Sequence, residues 1–280
     1  MRHLLPILSP SFAPPITGEI IKKVLSDLDF YLPFRQHAPS LANARVEIYG
    51  DVTQFPGEDG VEFFNILAFR GVFFGSPFAQ SDRYKKFNTL ADWKKFQAEG
   101  LEIARTEGKD GEEERYYVKR NCYGQTQTDR STELLSVYWD QRLLWSTTFN
   151  KPTKPTITEV HKWLKSTIRN IGSLSALLIC GDLIEAGILS MPAAEEWGGL
   201  IHTLKMGSKE SMERLGLIRK GASKLEVSKA FTSLDLALHQ ELKKEEKEAM
   251  NYNVIMLEHA LCKIKRLSSR RPILDILQEI

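Results

Sequence analysis

The sequence is poor in the features that mark specialised chains. It has three cysteines in 280 residues, far apart at Cys122, Cys180 and Cys262. That excludes a disulfide-built mini-protein. It suits free thiols in a reducing compartment, so an intracellular setting, cytoplasmic or nuclear, is expected. No long uncharged apolar run exists. The most apolar stretch, residues 174–189, contains Asp182 and Glu185 and is shorter than the roughly 20 residues a membrane span needs. Neither sign of charge dominates: 38 Lys+Arg stand against 36 Asp+Glu, so nothing in the total marks a polyelectrolyte. The 12 prolines and 18 glycines are too few for a collagen or a low-complexity chain.

Recognisable catalytic motifs are also missing. No two of His3, His37, His161, His202, His239 and His259 stand in a His-x-x-x-His or His-x-His spacing, and none neighbours a cysteine at zinc-ligand spacing. No Gly-x-Ser-x-Gly elbow is present. The glycine-containing stretch Gly71–Gly75 lacks the Lys-Ser/Thr that phosphate cradling needs. No metal site and no cofactor are expected.

What is present is a shift of composition along the chain. Ten of the twelve prolines precede Thr156. Residues 1–150 carry 18 basic against 20 acidic residues, and residues 151–280 carry 20 against 16. The stretch Asn150–Pro155 is of linker type. The division expected from this is an extended N-terminal arm over 1–16, a β-rich α+β domain over 17–150 and an α-helical domain over 151–280. The expected fold class is therefore α+β, with an antiparallel β-rich first half holding one or two helices.

In the first half, residues 17–28 and 90–104 read as helices. Arg45–Tyr49 alternates with period two, and Phe63–Phe69 is nearly continuous apolar, so both read as strands. Residues 115–123, 133–139 and 143–145 extend the β reading. In the second half, Thr156 with Glu159 and Ser223 with Glu226 form capping boxes. A helix opening at Ser173 is apolar on most sides and should be central. Gly198 and Gly199 permit close packing, and Ser208 opens a short helix. The pattern from Ser223 to Ile264 predicts one helix of about 40 residues, or two joined near residues 251–253. A last short helix is expected over 273–280.

The most suggestive charged feature is Lys263, Lys265, Arg266, Arg270 and Arg271, five cations within nine positions and no acid among them. Such a cluster contacts phosphate backbones through counterion release, or complements a helix C-terminus. A second basic-aromatic set is Lys85 and Lys86 beside Tyr84 and Phe87, with Lys94 and Lys95 beside Trp93 and Phe96. There, rings can stack bases, or form core with the lysines at the rim. A metal-dependent site would draw on carboxylates such as Asp51 and Glu62 with Lys85.

The nine residues Phe63–Gly71 look like a strand-and-turn segment of some rhabdovirus matrix proteins. That resemblance implies an α+β protein that assembles nucleocapsid and membrane. The functional expectation is a non-enzymatic assembly or interaction protein, of viral matrix- or nucleocapsid-like type. It would contact nucleic acid or another polyanion through the C-terminal cluster, with a protein partner or self-association. The alternatives are a metal-dependent hydrolase or nuclease in the β-rich half, and a regulator that binds a partner protein through the long C-terminal helix.

Overall fold

The computed structural model describes residues 2–9, 19–50, 55, 57, 59–106, 113–124, 126–149, 153–204 and 207–267. Among them every regular element is helical. A 3₁₀ turn over Arg2–Ile7 precedes α1 (Glu19–Ser26), α2 (Leu28–Tyr31), α3 (Pro39–Glu47) and α4 (Val61–Ala68). A π-helical turn, Phe69–Phe73, continues α4. Then follow α5 (Pro77–Gln80), α6 (Leu90–Thr106), α7 (Glu113–Tyr117), α8 (Leu134–Asp140) and α9 (Leu144–Phe149). The remainder is α10 (Ile157–Thr167), α11 (Ser173–Glu185), α12 (Ala194–Ile201), α13 (Ser208–Arg214), α14 (Lys224–Glu241), α15 (Lys244–Met250) and α16 (Val254–Leu267).

The α+β expectation is therefore wrong, and so is the β-rich first half. Arg45–Glu47 belongs to α3, Phe63–Ala68 to α4, and residues 115–117, 134–139 and 144–145 to α7, α8 and α9. The physical reason is an ambiguity in apolar runs. A continuous run fits a strand buried on both faces and a helix buried all round equally well. Here Val61, Phe63 through Phe69 and Val72 to Phe74 are all buried, so helix α4 and its π-turn are sheathed in protein. The segment that resembles a matrix-protein strand and turn is itself helical. Nor is there one helix of 40 residues, or two. Leu242 leaves the helical region with ψ 131° and Asn251 adopts a left-handed φ of 50°, which divides the pattern into three helices. The expected arm lies partly outside the described residues, and the helix expected over 273–280 lies wholly outside them.

The chain divides into two compact units: residues 1–38 with 192–280, and residues 39–191. The first of these is discontinuous in sequence. Residues 151–191 belong with the preceding residues 39–150 rather than with the helices that follow them.

In the discontinuous unit, α12 lies on α14 and α13 on α16. Gly198 makes the close approach of α12 and α14 possible, because a Cβ there would lie 2.9 Å from the Ser228 Cα. The Ser228 hydroxyl donates to the Glu195 carbonyl at 2.5 Å, closing the same seam. Leu4, Leu5, Val24, Leu32, Phe34, Leu242, Met250, Met256 and Ala260 form an apolar core. Both capping boxes are made as expected, Thr156 with Glu159 and Ser223 with Glu226.

The unit over 39–191 is organised around the π-turn and α11. As expected, α11 is apolar on most sides, with Ser175 through Ile184 buried. Its Asp182 side chain is fully buried. The Arg70 guanidinium meets it in a fork, Nε to Oδ2 at 2.5 Å and Nη2 to Oδ1 at 2.6 Å. Arg70 also lies over the rings of Phe69 and Phe74, 4.9 and 4.6 Å from their centroids. Burial alone would lower the Arg70 pKa, but the Asp182 charge and hydrogen bonds outweigh it and hold it raised. A second buried cation, Arg130, closes the end of the π-turn. Its Nη2 donates to the Val72 and Phe74 carbonyls at 2.7 and 3.0 Å, satisfying acceptors that no further helical turn reaches. Its Nη1 contacts the Cys122 thiol. Gly71 is required in this turn, because a Cβ would run into the Tyr138 ring.

Candidate binding groove

Most of the sequence-selected cations that lie within the described residues prove to be structural or peripheral. Lys263 is 2% exposed, and its Nζ donates to the Asp29 and Phe30 carbonyls at 2.6 and 3.0 Å. Arg266 donates to the same Phe30 carbonyl at 3.0 Å and stacks over the Phe30 ring. Together they cap the carbonyl end of α2, where cations are favoured. Burial first, then the neighbouring Arg266 charge, pushes the Lys263 pKa well below its ordinary value. Lys265 pairs with Glu210 at 2.5 Å. Arg270 and Arg271 lie outside the described residues.

In the second basic set, Tyr84, Phe87 and Trp93 are buried and Phe96 is half-buried, while Lys85, Lys86, Lys94 and Lys95 are exposed. The rings pack on one another: Phe87 is edge-on to both Trp93 and Phe96, at 5.7 and 5.1 Å. That leaves the lysines at the rim with no ring to stack a base. Of the residues imagined for a metal site, Glu62 is on α4, Lys85 is exposed and Asp51 is outside the described residues. Among the described residues no group of three His, Cys, Asp or Glu could hold a metal ion. All three thiols are buried, and burial raises the pKa of Cys180 and Cys262.

The feature that sequence reading did not single out is a groove beside α10. Its cavity is about 420 Å³, lined by Thr148 and Phe149 from α9, Thr153, Lys154 and Pro155 from the loop, and Glu159, Lys162, Trp163 and Ser166 from α10. The volume lies within the range of roughly 300–1,000 Å³ typical of ligand sites. The spacing of the last four residues is that of one helix face. The core stripe of α10, Ile157, Val160 and Leu164, is buried on the other side. Trp163 sits between the two faces. It meets Phe149 edge-on at 5.0 Å and Trp145 edge-on at 5.8 Å, and it tilts against Phe63 at 5.8 Å. Trp145 is buried, whereas Trp163 and Phe149 remain half-buried and floor the groove.

The groove's described lining is of mixed charge, Lys154 and Lys162 with Glu159. Glu159 accepts from the Thr156 N–H and hydroxyl through Oε2, both at 2.8 Å, and its carboxylate keeps its negative charge in the capping box. Lys162 is exposed, and no carboxylate among the described residues pairs with it. Lys154 donates to the Gly187 carbonyl at 2.8 Å, which leaves two of its three N–H groups to face outward. The positive end of the α10 dipole adds to both. On the inner side of α10, His161 is 3% exposed and its Nε2 lies 3.1 Å from the Ser173 carbonyl. Burial lowers its pKa from 6.5.

A signal for this site was present in the sequence. Trp163 lies off the apolar stripe of its own helix, and Pro155 and the capping box fix where that helix begins. Compared with known protein families, curated proteins and solved structures, the chain matches none. Among the described residues no helix is long and apolar enough to cross a membrane.

Proposed function

We propose that the chain is a non-enzymatic interaction protein that holds a segment of a partner protein in the groove of α9 and α10. The observation that carries this reading is the half-buried pair Phe149 and Trp163 at the base of an open cavity of about 420 Å³. Aromatic side chains anchored from behind and bare in front supply large contact area at low entropic cost. The interior ionic groups near α11 support the same reading, because Arg70, Asp182 and Arg130 are committed to holding the fold. Polyanion contact through the C-terminal cluster is the less favoured reading. Lys263 and Arg266 already serve the α2 carbonyls, and Lys265 serves Glu210.

Selection of a random linear-peptide library on the immobilised full chain tests the reading. Enriched peptides are expected to lose binding to a Trp163→Ala variant, and to retain it on a Lys94→Ala control on the same unit. A failure to enrich any peptide, or enriched peptides indifferent to Trp163→Ala, would contradict it. Trp163→Phe keeps a ring in the aromatic cluster and serves where the alanine variant does not fold.

A further inference from the structure

We propose that the turn Arg2–Ile7 is a tethered ligand, and that the apolar pocket it fills is a second peptide-binding site. The partner it fits is a segment with two adjacent leucines on one helical turn. The site belongs to the unit of residues 1–38 with 192–280 and shares no residue with the groove beside α10. Its walls include Val24 of α1, Phe34 after α2, Leu242 between α14 and α15, Met250 of α15 and Met256 of α16. Leu4 and Leu5 fill it, 8% and 1% exposed, and Ile7 and Leu8 pack half-buried against the same cluster. Leu4 and Ile7, like Leu5 and Leu8, are three residues apart, the spacing that a 3₁₀ turn brings onto one face. The turn closes hydrogen bonds of its own: the Leu5 carbonyl accepts from the Leu8 and Ser9 N–H groups at 2.8 and 3.2 Å. Pro6 fixes one φ within it, which lowers the entropy lost on docking.

The pocket is built without the turn. Lys263 and Arg266 of α16 donate to the Phe30 carbonyl of α2, both at 3.0 Å. Lys23 of α1 donates to the Arg266 carbonyl at 3.0 Å, and Tyr252 donates to Asp235 of α14 at 2.9 Å. These bonds tie the wall elements to one another. Met250 and Met256 are side chains that repack around differing apolar partners. The leucine contacts are ones that a second segment of the same pattern reproduces. Residues 8–18 separate the turn from α1 in sequence, so the turn can leave while α1 stays. While tethered, it competes with an incoming segment at an effective concentration on the order of 1 mM, and so holds down the affinity of the full chain.

The test is fluorescence anisotropy with a fluorescein-labelled, end-capped peptide RHLLPILS, the sequence of residues 2–9, and its counterpart RHAAPILS. Both are titrated into the wild-type full chain and into a full chain carrying Leu4→Ser with Leu5→Ser, whose own turn no longer competes. Saturable binding of RHLLPILS to the variant is expected, at least ~10-fold tighter than to wild type and at least ~10-fold tighter than RHAAPILS. Hydrogen exchange on the variant with RHLLPILS bound should be slowed in α15 and α16 and unchanged in α9 and α10. No binding to a folded variant, equal binding of the two peptides, equal binding to variant and wild type, or protection in α9 and α10 would overturn the proposal. Where the variant does not fold, hydrogen exchange of the wild-type chain decides. The segment holding the Leu8 and Ser9 amides should then exchange faster under millimolar RHLLPILS while α16 keeps its protection. An unchanged rate in that segment would overturn the proposal.

Discussion

Breaking the Arg70–Asp182 pair by Asp182→Leu should destabilise the unit over 39–191 far more than removing both charges. The two side chains are 1% and 0% exposed and meet in a fork at 2.5 and 2.6 Å. Removing the carboxylate strands a guanidinium between two phenyl rings with no water to solvate it. Loss of one partner of a buried pair costs about 3–5 kcal/mol, whereas replacing both by apolar groups of similar volume is often neutral or stabilising. With a urea dependence of about 2–3 kcal/mol per molar for a unit of this size, the single variant should lower the unfolding midpoint by roughly 1–2 M. Arg70→Met with Asp182→Leu should recover most of that, to within about 1 kcal/mol of the parent. Tryptophan fluorescence reads this cleanly in a Trp197→Phe background. The remaining indoles, Trp93, Trp139, Trp145 and Trp163, all belong to the unit in question. A cost below about 1 kcal/mol for Asp182→Leu, or a double variant that loses the sum of the two singles, would refute the reasoning.

Adjacent glycines on α12 should respond oppositely. Gly198→Ala places a Cβ 2.9 Å from the Ser228 backbone and should cost about 1–3 kcal/mol in chemical denaturation. Gly199→Ala meets only the flexible Lys224 Cε and should be neutral, or stabilising by up to about 1 kcal/mol through helix propensity. Ser223→Ala removes the side-chain acceptor of the α14 capping box and should cost about 1 kcal/mol by the same assay. Stability should also fall on acidification through His161. Burial lowers its folded-state pKa below 6.5, so below that pH the unfolded chain binds the extra proton. This contribution is complete above pH 6.5 and is lost as pH falls through the folded-state value. A His161→Gln variant should show a flatter stability profile below pH 6.5, and an unchanged profile would remove His161 as the cause.

How far these features can be read from sequence depends on whether they are local. Capping boxes depend on residues three apart, so Thr156 and Ser223 mark their helices directly. The burial of α11 follows from its own composition. Strand and helix readings of Phe63–Phe69 differ only in what covers the run, and the cover comes from α8 and α11 far along the chain. Arg45–Tyr49 alternates by chance: Val46 is 75% exposed while Ala44 is buried. Arg70 and Asp182 are 112 residues apart, and nothing local pairs them. The basic cluster near the C-terminus could be counted but not placed. On α16, Lys263 falls within a stretch buried from Val254 onward, which turns a surface-charge expectation into an internal cap. The groove was half legible, in a tryptophan that departs from the stripe of its helix.

The most direct test of the groove is hydrogen exchange by mass spectrometry on the full chain, with and without a saturating peptide enriched on it by library selection. Slowed exchange should appear in α9, in the loop over 153–156 and in α10, with α14 and α16 unchanged. Protection centred on α14 or α16, or none in α9 and α10 at full occupancy, would contradict the account.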